Sequence, residues 1–291
     1  MFDVETFCAA HSGPDKAFSV SFEPEMATLH VLLKGDRPPT FARSAVHDFV
    51  ALLSDLDSGL AQGAPIRMVV YRSPHRGIFS LGGDLRIIGP SLGQPLSEEM
   101  AQYGEACIDM VWRNWELVEN HDVVTVALMT GDGLGGGFEC ALSCNHIALV
   151  SCAKVGFPEV TFGAFPGMGA IPFGQRRGGL RLVRKMVSTG ITVPAAEAEQ
   201  AGLVDTLVEC GGADDAHAAM EAWFQPWRRQ IFSAFSSHLV RLRCERKAFG
   251  VTRDELAYNV RSMVAGIAAA DPQHGRLVAI LAQKQTRKFL A

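Results

Sequence analysis

Two glutamates and two glycine runs are the residues of this chain whose types and spacing can do chemistry together. Thr130-Gly131-Asp132-Gly133-Leu134-Gly135-Gly136-Gly137-Phe138-Glu139 follows the apolar run 123–129 and leads into a helical pattern. Successive glycines let main-chain N–H groups come close to a ligand, and the start of a helix favours negative charge there. Such a turn binds a phosphate, or an enolate oxygen formed during a reaction. Ile78-Phe79-Ser80-Leu81-Gly82-Gly83-Asp84-Leu85 is a second glycine pair after a short strand. One N–H from each run, aimed at the same oxygen, would make an oxyanion hole, where losing a donor costs about 3–4 kcal/mol of transition-state stabilisation. Glu159 stands in Gly156-Phe157-Pro158-Glu159-Val160, ahead of Phe165-Pro166-Gly167-Met168-Gly169-Ala170. A carboxyl group in so apolar a setting is expected to be desolvated, with its pKa raised towards neutrality. With Glu139 it forms a pair suited to adding or removing water: one group handles an α-proton while both position the water or hydroxyl.

Other patterns compete with this reading. Gly131, Gly133 and Gly136 also satisfy G-x-G-x-x-G, but a dinucleotide fold wants an acidic residue at the end of the next strand, and Val150-Ser151-Cys152 has none. Gly89-Pro90-Ser91-Leu92-Gly93 fits G-x-S-x-G, yet a nucleophile elbow needs a strand before it and a helix directly after, and Gln94-Pro95 follows instead. Cys140 and Cys144, with His146 close by, lie one helical turn apart; no second ligand pair accompanies them, so they read as small buried hydrophobes and no metal is expected. Arg176, Arg177, Arg181, Arg184 and Lys185 form a basic cluster that is either a solvated helix face or a dock for an acidic carrier or for phosphates.

The elements that must position these residues read as an α/β chain. Residues 18–22 and 28–33 alternate as two paired strands, 41–60 carries apolar residues at helical spacing, and 66–71 is a short strand. The segment 77–83 reads as a glycine-bearing loop, 97–117 as a helix, 123–129 as a buried strand, and 147–150 as another. The run 131–137 reads as a break that opens a helix through Cys144. Alternating strands and helices occupy the first two-thirds. Beyond Gly211-Gly212 the chain reads as helix after helix, which sets a boundary near 210: a core over residues 1–210 and a helical region over 211–291.

With 291 residues, 48% of them hydrophobic, the chain can bury a core without staples. A net charge of −4 argues against a nucleic-acid partner. Seven scattered cysteines, an odd number, fit a reducing compartment. The acidic start Met1-Phe2-Asp3-Val4-Glu5 is unlike a signal peptide, and no apolar run is long enough to span a bilayer, so a cytoplasmic protein without membrane contact is expected.

The two glycine runs and the Glu159 segment, in this order and spacing, together with Ala195-Ala196-Glu197-Ala198-Glu199-Gln200-Ala201-Gly202-Leu203-Val204-Asp205, resemble the crotonase superfamily of enoyl-CoA hydratases and isomerases. That resemblance implies a spiral of ββα units with a C-terminal helical region for oligomerisation and for covering an acyl pocket. It implies trimers or pairs of trimers and no cofactor beyond the coenzyme A or acyl carrier protein that carries the substrate. Gly83 and Gly136 become the oxyanion-hole donors, and Glu139 and Glu159 match the two hydratase glutamates. Leu81, Gly82, Leu134, Gly135, Phe138, Phe157, Phe162, Phe165 and Met168 become the substrate-binding residues.

Residues 81–85, 134–144, 156–159 and 165–169, with Arg243-Cys244-Glu245-Arg246-Lys247-Ala248-Phe249 and Thr252-Arg253-Asp254-Glu255-Leu256, resemble the bacterial diffusible-signal-factor synthases more closely. Those enzymes dehydrate a 3-hydroxyacyl thioester to a 2-enoyl thioester and hydrolyse it to a free fatty acid signal. The alternatives are a general enoyl-CoA hydratase or isomerase of fatty acid metabolism and a non-catalytic binding protein of the same fold.

Overall fold

The structure is a computed structural model that describes residues 2–290, with side chains as far as 286. Helix α1 (Val4–Ala10) is capped by Asp3, whose carboxylate accepts from the Glu5 N–H at 3.1 Å. Strands β1 (Phe18–Glu23) and β2 (Thr28–Leu33) pair antiparallel, Phe18 opposite Leu33. Helix α2 (Arg43–Ala61) buries Val46, Phe49, Leu53 and Leu56, spaced three or four apart as one helical face requires. Then come β3 (Met68–Arg72), β4 (Gly77–Ser80), α3 (Leu85–Ser91) and α4 (Glu98–His121). Ser97 caps α4 by accepting from the Met100 N–H at 3.2 Å, and Glu98 and Glu99 fill the first turn.

The chain continues through β5 (Val124–Met129), β6 (Gly131–Leu134), α5 (Gly136–Leu142), β7 (His146–Val150) and β8 (Lys154–Gly156). A 3₁₀ turn, Pro158–Phe162, leads to α6 (Ala170–Gly178), α7 (Leu180–Thr189), β9 (Thr192–Pro194), α8 (Ala195–Gln200) and β10 (Thr206–Val208). Four helices close the chain: α9 (Ala216–Ser233), α10 (Phe235–Phe249), α11 (Arg253–Ala269) and α12 (His274–Leu290).

Among the described residues the strands form two sheets. The larger runs β1-β2-β3-β5-β7-β10, parallel except for the β1–β2 hairpin. The smaller runs β4-β6-β8-β9, parallel except at β9. From β3 to β8 each turn of the spiral lays one strand in the large sheet, the next in the small sheet, and returns through helix. Strands β3, β5 and β7 are buried on both faces, as parallel strands covered on each side must be.

The small sheet corrects the sequence reading. Segment 77–83 begins as strand β4, and the glycine run 131–137 contains strand β6, where a loop and a break were expected. Glycine is depleted in strands because it brings no packing side chain, so local preference points to loops. Here close approach needs it: a Cβ on Gly131 would lie 2.1 Å from the Gly77 carbonyl carbon and 2.2 Å from the Ile78 nitrogen.

This packing sets a test. Gly131→Ala should destabilise the protein by about 3 kcal/mol or more, because backbone must move to admit the methyl group. Gly266→Ala, on α11 with nothing within 4 Å of the added Cβ, should instead be neutral or stabilise by up to about 1 kcal/mol. Urea denaturation of the two variants reads both effects.

Candidate active site

Three neighbouring parallel strands of the small sheet end at one place. After β4 comes Leu81-Gly82-Gly83, after β6 Gly135-Gly136, and after β8 Phe157-Pro158-Glu159. The C-terminal ends of parallel strands are where α/β folds open their crevices. The first two loops touch through backbone: a Cβ on Gly82 (φ 77°) would stand 2.6 Å from the Leu134 oxygen and 2.9 Å from the Gly136 nitrogen. The Gly83 nitrogen lies 3.6 Å from the Cβ position of Gly136, so the two amides are neighbours.

Neither amide has an acceptor among the described residues. Gly136 opens α5, where no carbonyl four residues back belongs to the helix. Around Gly83 the loop is held by other bonds, Leu81 N–H to Pro39 O and Phe41 N–H to Gly82 O, each 2.8 Å. The Tyr103 hydroxyl donates to Phe41 O at 2.7 Å and braces the same strap. From α12, Gln285 Nε2 donates to Gly83 O at 3.2 Å while its Oε1 accepts from the Leu85 N–H at 3.3 Å.

Glu139 projects from the first turn of α5 and is 1% exposed. Its Oε1 accepts from the Met168 N–H at 2.7 Å and the Ala170 N–H at 2.9 Å. Burial pushes this carboxyl up from the ordinary 4.5 to about 7, and the two amides hold it from going further. Glu159 sits in the 3₁₀ turn; its stem is partly exposed, but its carboxyl is enclosed and Oε2 has no partner. Burial first, and then the charge of Glu139, raise Glu159 well above the usual carboxylate range. Two amide donors on Glu139 and none on Glu159 Oε2 therefore favour the charge on Glu139 and the proton on Glu159. Glycine is required between them, because a Cβ on Gly135 (φ 51°) would stand 2.2 Å from Glu159 Oε1.

Gly83, Gly136, Glu139 and Glu159 share one inner cavity of about 30 Å³, closed by Met100, Tyr103, Cys107, Phe165, Met168, Met263 and Ile267. Glu159 and Gly83 also line an outer cavity of about 250 Å³, with Leu81, Leu134, Gly135 and Phe162 on its walls and Leu281, Lys284 and Gln285 of α12 at its edge. Of the residues expected to bind substrate, Leu81, Leu134, Gly135 and Phe162 thus face the outer cavity, and Phe165 and Met168 the inner one. Gly82 joins the loops behind them. Phe138 and Phe157 are fully buried on neither wall, their rings stacked at 5.5 Å in the core.

The sequence reading missed Tyr103, the Gln285 clip and the two amides on Glu139. The amides had a signal, since Gly167-Met168-Gly169 spells a turn; the other two are long-range contacts with none.

The remaining motifs resolve into structure. Ser91 ends helix α3 and donates to Ile87 O at 3.3 Å, so the G-x-S-x-G pattern has helix where an elbow needs strand. Cys140 and Cys144 are buried; burial raises both thiols, Cys144 to about 12. His146 turns away from them to Trp223 and Trp227, and burial lowers it to about 4. The basic cluster is split. Arg176 makes a bidentate pair with Glu255 at 3.0 and 3.1 Å, and Arg177 pairs with Asp205 at 3.0 Å and donates to Leu142 O and Cys144 O. Arg181, Arg184 and Lys185 are exposed on α7. No helix among the described residues is long and apolar enough to cross a membrane.

Comparison with known proteins adds to this geometry. Residues 33–248 match the family described as enoyl-CoA hydratase/isomerase. A curated relative, "Enoyl-CoA isomerase/hydratase fer4" of Mycosarcoma maydis, is 30% identical over 184 residues, 60% of this chain and 63% of that protein. The mouse "Enoyl-CoA hydratase domain-containing protein 2, mitochondrial" is 28% identical over 205 residues, 69% of this chain and 65% of that protein. The chain thus spans slightly less than two thirds of either relative. Among solved structures, an enoyl-CoA hydratase from Bacillus halodurans superposes with TM-score 0.74 at 16% identity, covering 91% of this chain and all of that one. Pseudomonas aeruginosa DspI superposes with TM-score 0.60 at 19% identity, covering 78% and 98%. At such identities the superpositions speak for the fold.

The carboxyl pair predicts a pH dependence. Above pH 4.5 the unfolded chain releases protons that the folded pair retains, so stability present at low pH is lost as pH rises through about 7. Glu159→Gln should therefore be more stable than wild type at pH 8, with the difference vanishing towards pH 4.5. Urea midpoints across pH check this; a constant difference would refute it.

Proposed function

The chain belongs to the enoyl-CoA hydratase/isomerase family of the crotonase superfamily, and from that premise we propose that it dehydrates a 3-hydroxyacyl thioester to a 2-enoyl thioester and then hydrolyses the product to a free fatty acid signal. The observation that carries this reading is the shared cavity. Two unpaired amides, Gly83 and Gly136, meet there with two carboxyls that hold one proton between them.

In the dehydration, the thioester carbonyl sits between the two amides. Ionised Glu139 takes the α-proton, and the resulting enolate oxygen is held by the N–H donors, which stabilise charge as it develops. Protonated Glu159 delivers its proton to the departing β-hydroxyl, which leaves as water. Addition of water is the same exchange in reverse. In the hydrolysis, a water held by the carboxyl pair attacks the thioester carbonyl, the same amides hold the tetrahedral oxyanion, and the carrier thiol leaves with a proton. The close resemblance of residues 81–85, 134–144, 156–159 and 165–169, with 243–249 and 252–256, to signal-factor synthases favours this sequence of steps.

The carrier is coenzyme A or acyl carrier protein; Arg181, Arg184 and Lys185 are the exposed basic group suited to an acidic carrier. We further take the working protein to be a cytoplasmic homotrimer or pair of trimers, as the resemblance implies. One observation favours a second reading. An inner cavity of about 30 Å³ suits a short acyl group and hence a general enoyl-CoA hydratase. Three of its walls are methionines, Met100, Met168 and Met263, whose flexible thioethers repack readily and can admit a longer tail.

Products of a medium-chain 3-hydroxyacyl carrier protein and of crotonyl-CoA, identified by mass spectrometry, separate the two readings. Free enoic acid from the first supports the synthase; hydration of crotonyl-CoA without any free acid supports the hydratase. Glu139→Ala and Glu159→Ala should each lower enoyl product and free acid about 10²–10⁴-fold, and the double variant should be scarcely worse than the worse single one. Ser91→Ala should leave thioester cleavage intact. Cleavage lost in the serine variant and kept in both glutamate variants would overturn the assignment.

A further inference from the structure

On the edge of the large sheet the structure carries a feature that the acyl chemistry does not use. Strands β7 and β10 are parallel neighbours, Val150 opposite Val208, so the chains leaving them set Cys152 and Cys210 side by side. Their sulfurs are 3.1 Å apart. A further approach of about 1 Å reaches the disulfide bond length of about 2.05 Å. Cys152 is exposed and Cys210 half-buried, so a small solute can reach the pair.

The surroundings distinguish the two thiols. The Ser151 hydroxyl accepts from the Cys210 N–H at 3.1 Å and points its proton at Cys210 Sγ, 3.8 Å away. With both protonated, Cys210 donates to Cys152; once the pair loses one proton, the serine hydroxyl turned on Cys210 favours the charge there, with Cys152 donating. Burial opposes a thiolate at Cys210, but hydrogen bonds from Cys152 and Ser151 outweigh it and hold Cys210 below the ordinary cysteine range. Burial and the bond to Cys210 push Cys152 up to about 11. Burial also raises Cys8, Cys107, Cys140 and Cys144. A thiolate beside a protonated thiol is the arrangement in which one sulfur attacks and the other resolves.

We propose that Cys152 and Cys210 form a peroxide-reactive dithiol, with Cys210 the attacking and Cys152 the resolving sulfur. Cys210 Sγ attacks one oxygen of a hydroperoxide; the O–O bond breaks, the distal oxygen leaves as alcohol or water after taking a proton, and Cys210 becomes a sulfenic acid. Cys152 Sγ then displaces that hydroxyl as water, forming the S–S bond. Both sulfurs are oxidised by one electron each and the peroxide is reduced by two. The bond would join residues 58 apart, around the segment that carries Glu159 and the two amides on Glu139. This inference stands apart from the acyl-thioester reading.

The 291-residue chain, treated with one equivalent of hydrogen peroxide, should lose 2 Da in intact mass and two of its seven titratable thiols. Peptide mapping should find Cys152 joined to Cys210, and dithiothreitol should reverse the change. Cys152→Ser should leave a sulfenic acid on Cys210 that dimedone traps, and Cys210→Ser should consume peroxide at least tenfold more slowly. No mass change, oxidation spread over Cys8 and Cys244, or a sulfenic acid on Cys152 formed at the wild-type rate would each overturn the proposal. The wild-type chain alone gives a further reading that needs no variant to fold. Limiting iodoacetamide at pH 7 should alkylate Cys210 before exposed Cys244, and the opposite order would count against a thiolate at Cys210.

Discussion

A carboxylate almost wholly removed from water has to be held by something, and in this protein two main-chain amides hold it. Glu139 at 1% exposure would be costly as a charge without partners. The N–H groups of Met168 and Ala170 meet its Oε1 and keep it ionisable near neutrality. Those amides exist where they do because the loop between the 3₁₀ turn and α6 folds back over α5. Gly167 and Gly169 let it approach, with Met263 and Phe173 packed against the positions where their side chains would be. Glu159, lacking any such partner at Oε2, is left holding the proton. One asymmetry in hydrogen bonding thus assigns acid and base to two chemically identical side chains.

Behind α5 a second set of polar contacts fixes the helix from below. The Tyr71 hydroxyl donates to Asn114 Oδ1 at 2.6 Å, Asn114 Nδ2 donates to Ser143 Oγ at 2.8 Å, and Ser143 Oγ donates to Cys140 O at 2.7 Å. These groups are buried, and each finds a partner, as buried polar groups must. The chain of bonds links β3, α4 and the end of α5, three elements of successive turns of the spiral. It pins the helix that presents Gly136 and Glu139, while the small sheet sets the loops in front of it.

Much of the site was legible in the sequence, because its chemistry is written in local strings: a carboxyl after a glycine run, a carboxyl in a Phe-Pro turn, a glycine pair after a strand. The large sheet was legible too, since its strands are apolar and its helices periodic. The small sheet was not. Strands β6 and β8 are four and three residues long and rich in glycine, chosen for backbone contact rather than for packing, and local preference cannot see a neighbour supplied by another turn of the spiral. The basic cluster misled for a related reason. The expected single helix is two, and Arg176 and Arg177 lie on α6 while the exposed basic residues lie on α7; the guanidinium groups of the first two are consumed by Glu255 and Asp205, far away in sequence. Phe138 and Phe157 were drawn to the pocket by position alone; they line neither cavity and stack together in the core.

The single charge retained on the glutamate pair also sorts molecules by their own charge. Two like unit charges about 4 Å apart repel by about 4 kcal/mol at an effective dielectric constant of 20. On the proposed reaction a neutral thioester would meet no such barrier, whereas a free carboxylate in the same cavity would be an anion facing Glu139. Were the proposed hydrolysis to release an ionised acid there, the arrangement that readies the site for proton transfer would also expel it, a one-way valve made of electrostatics rather than of moving parts.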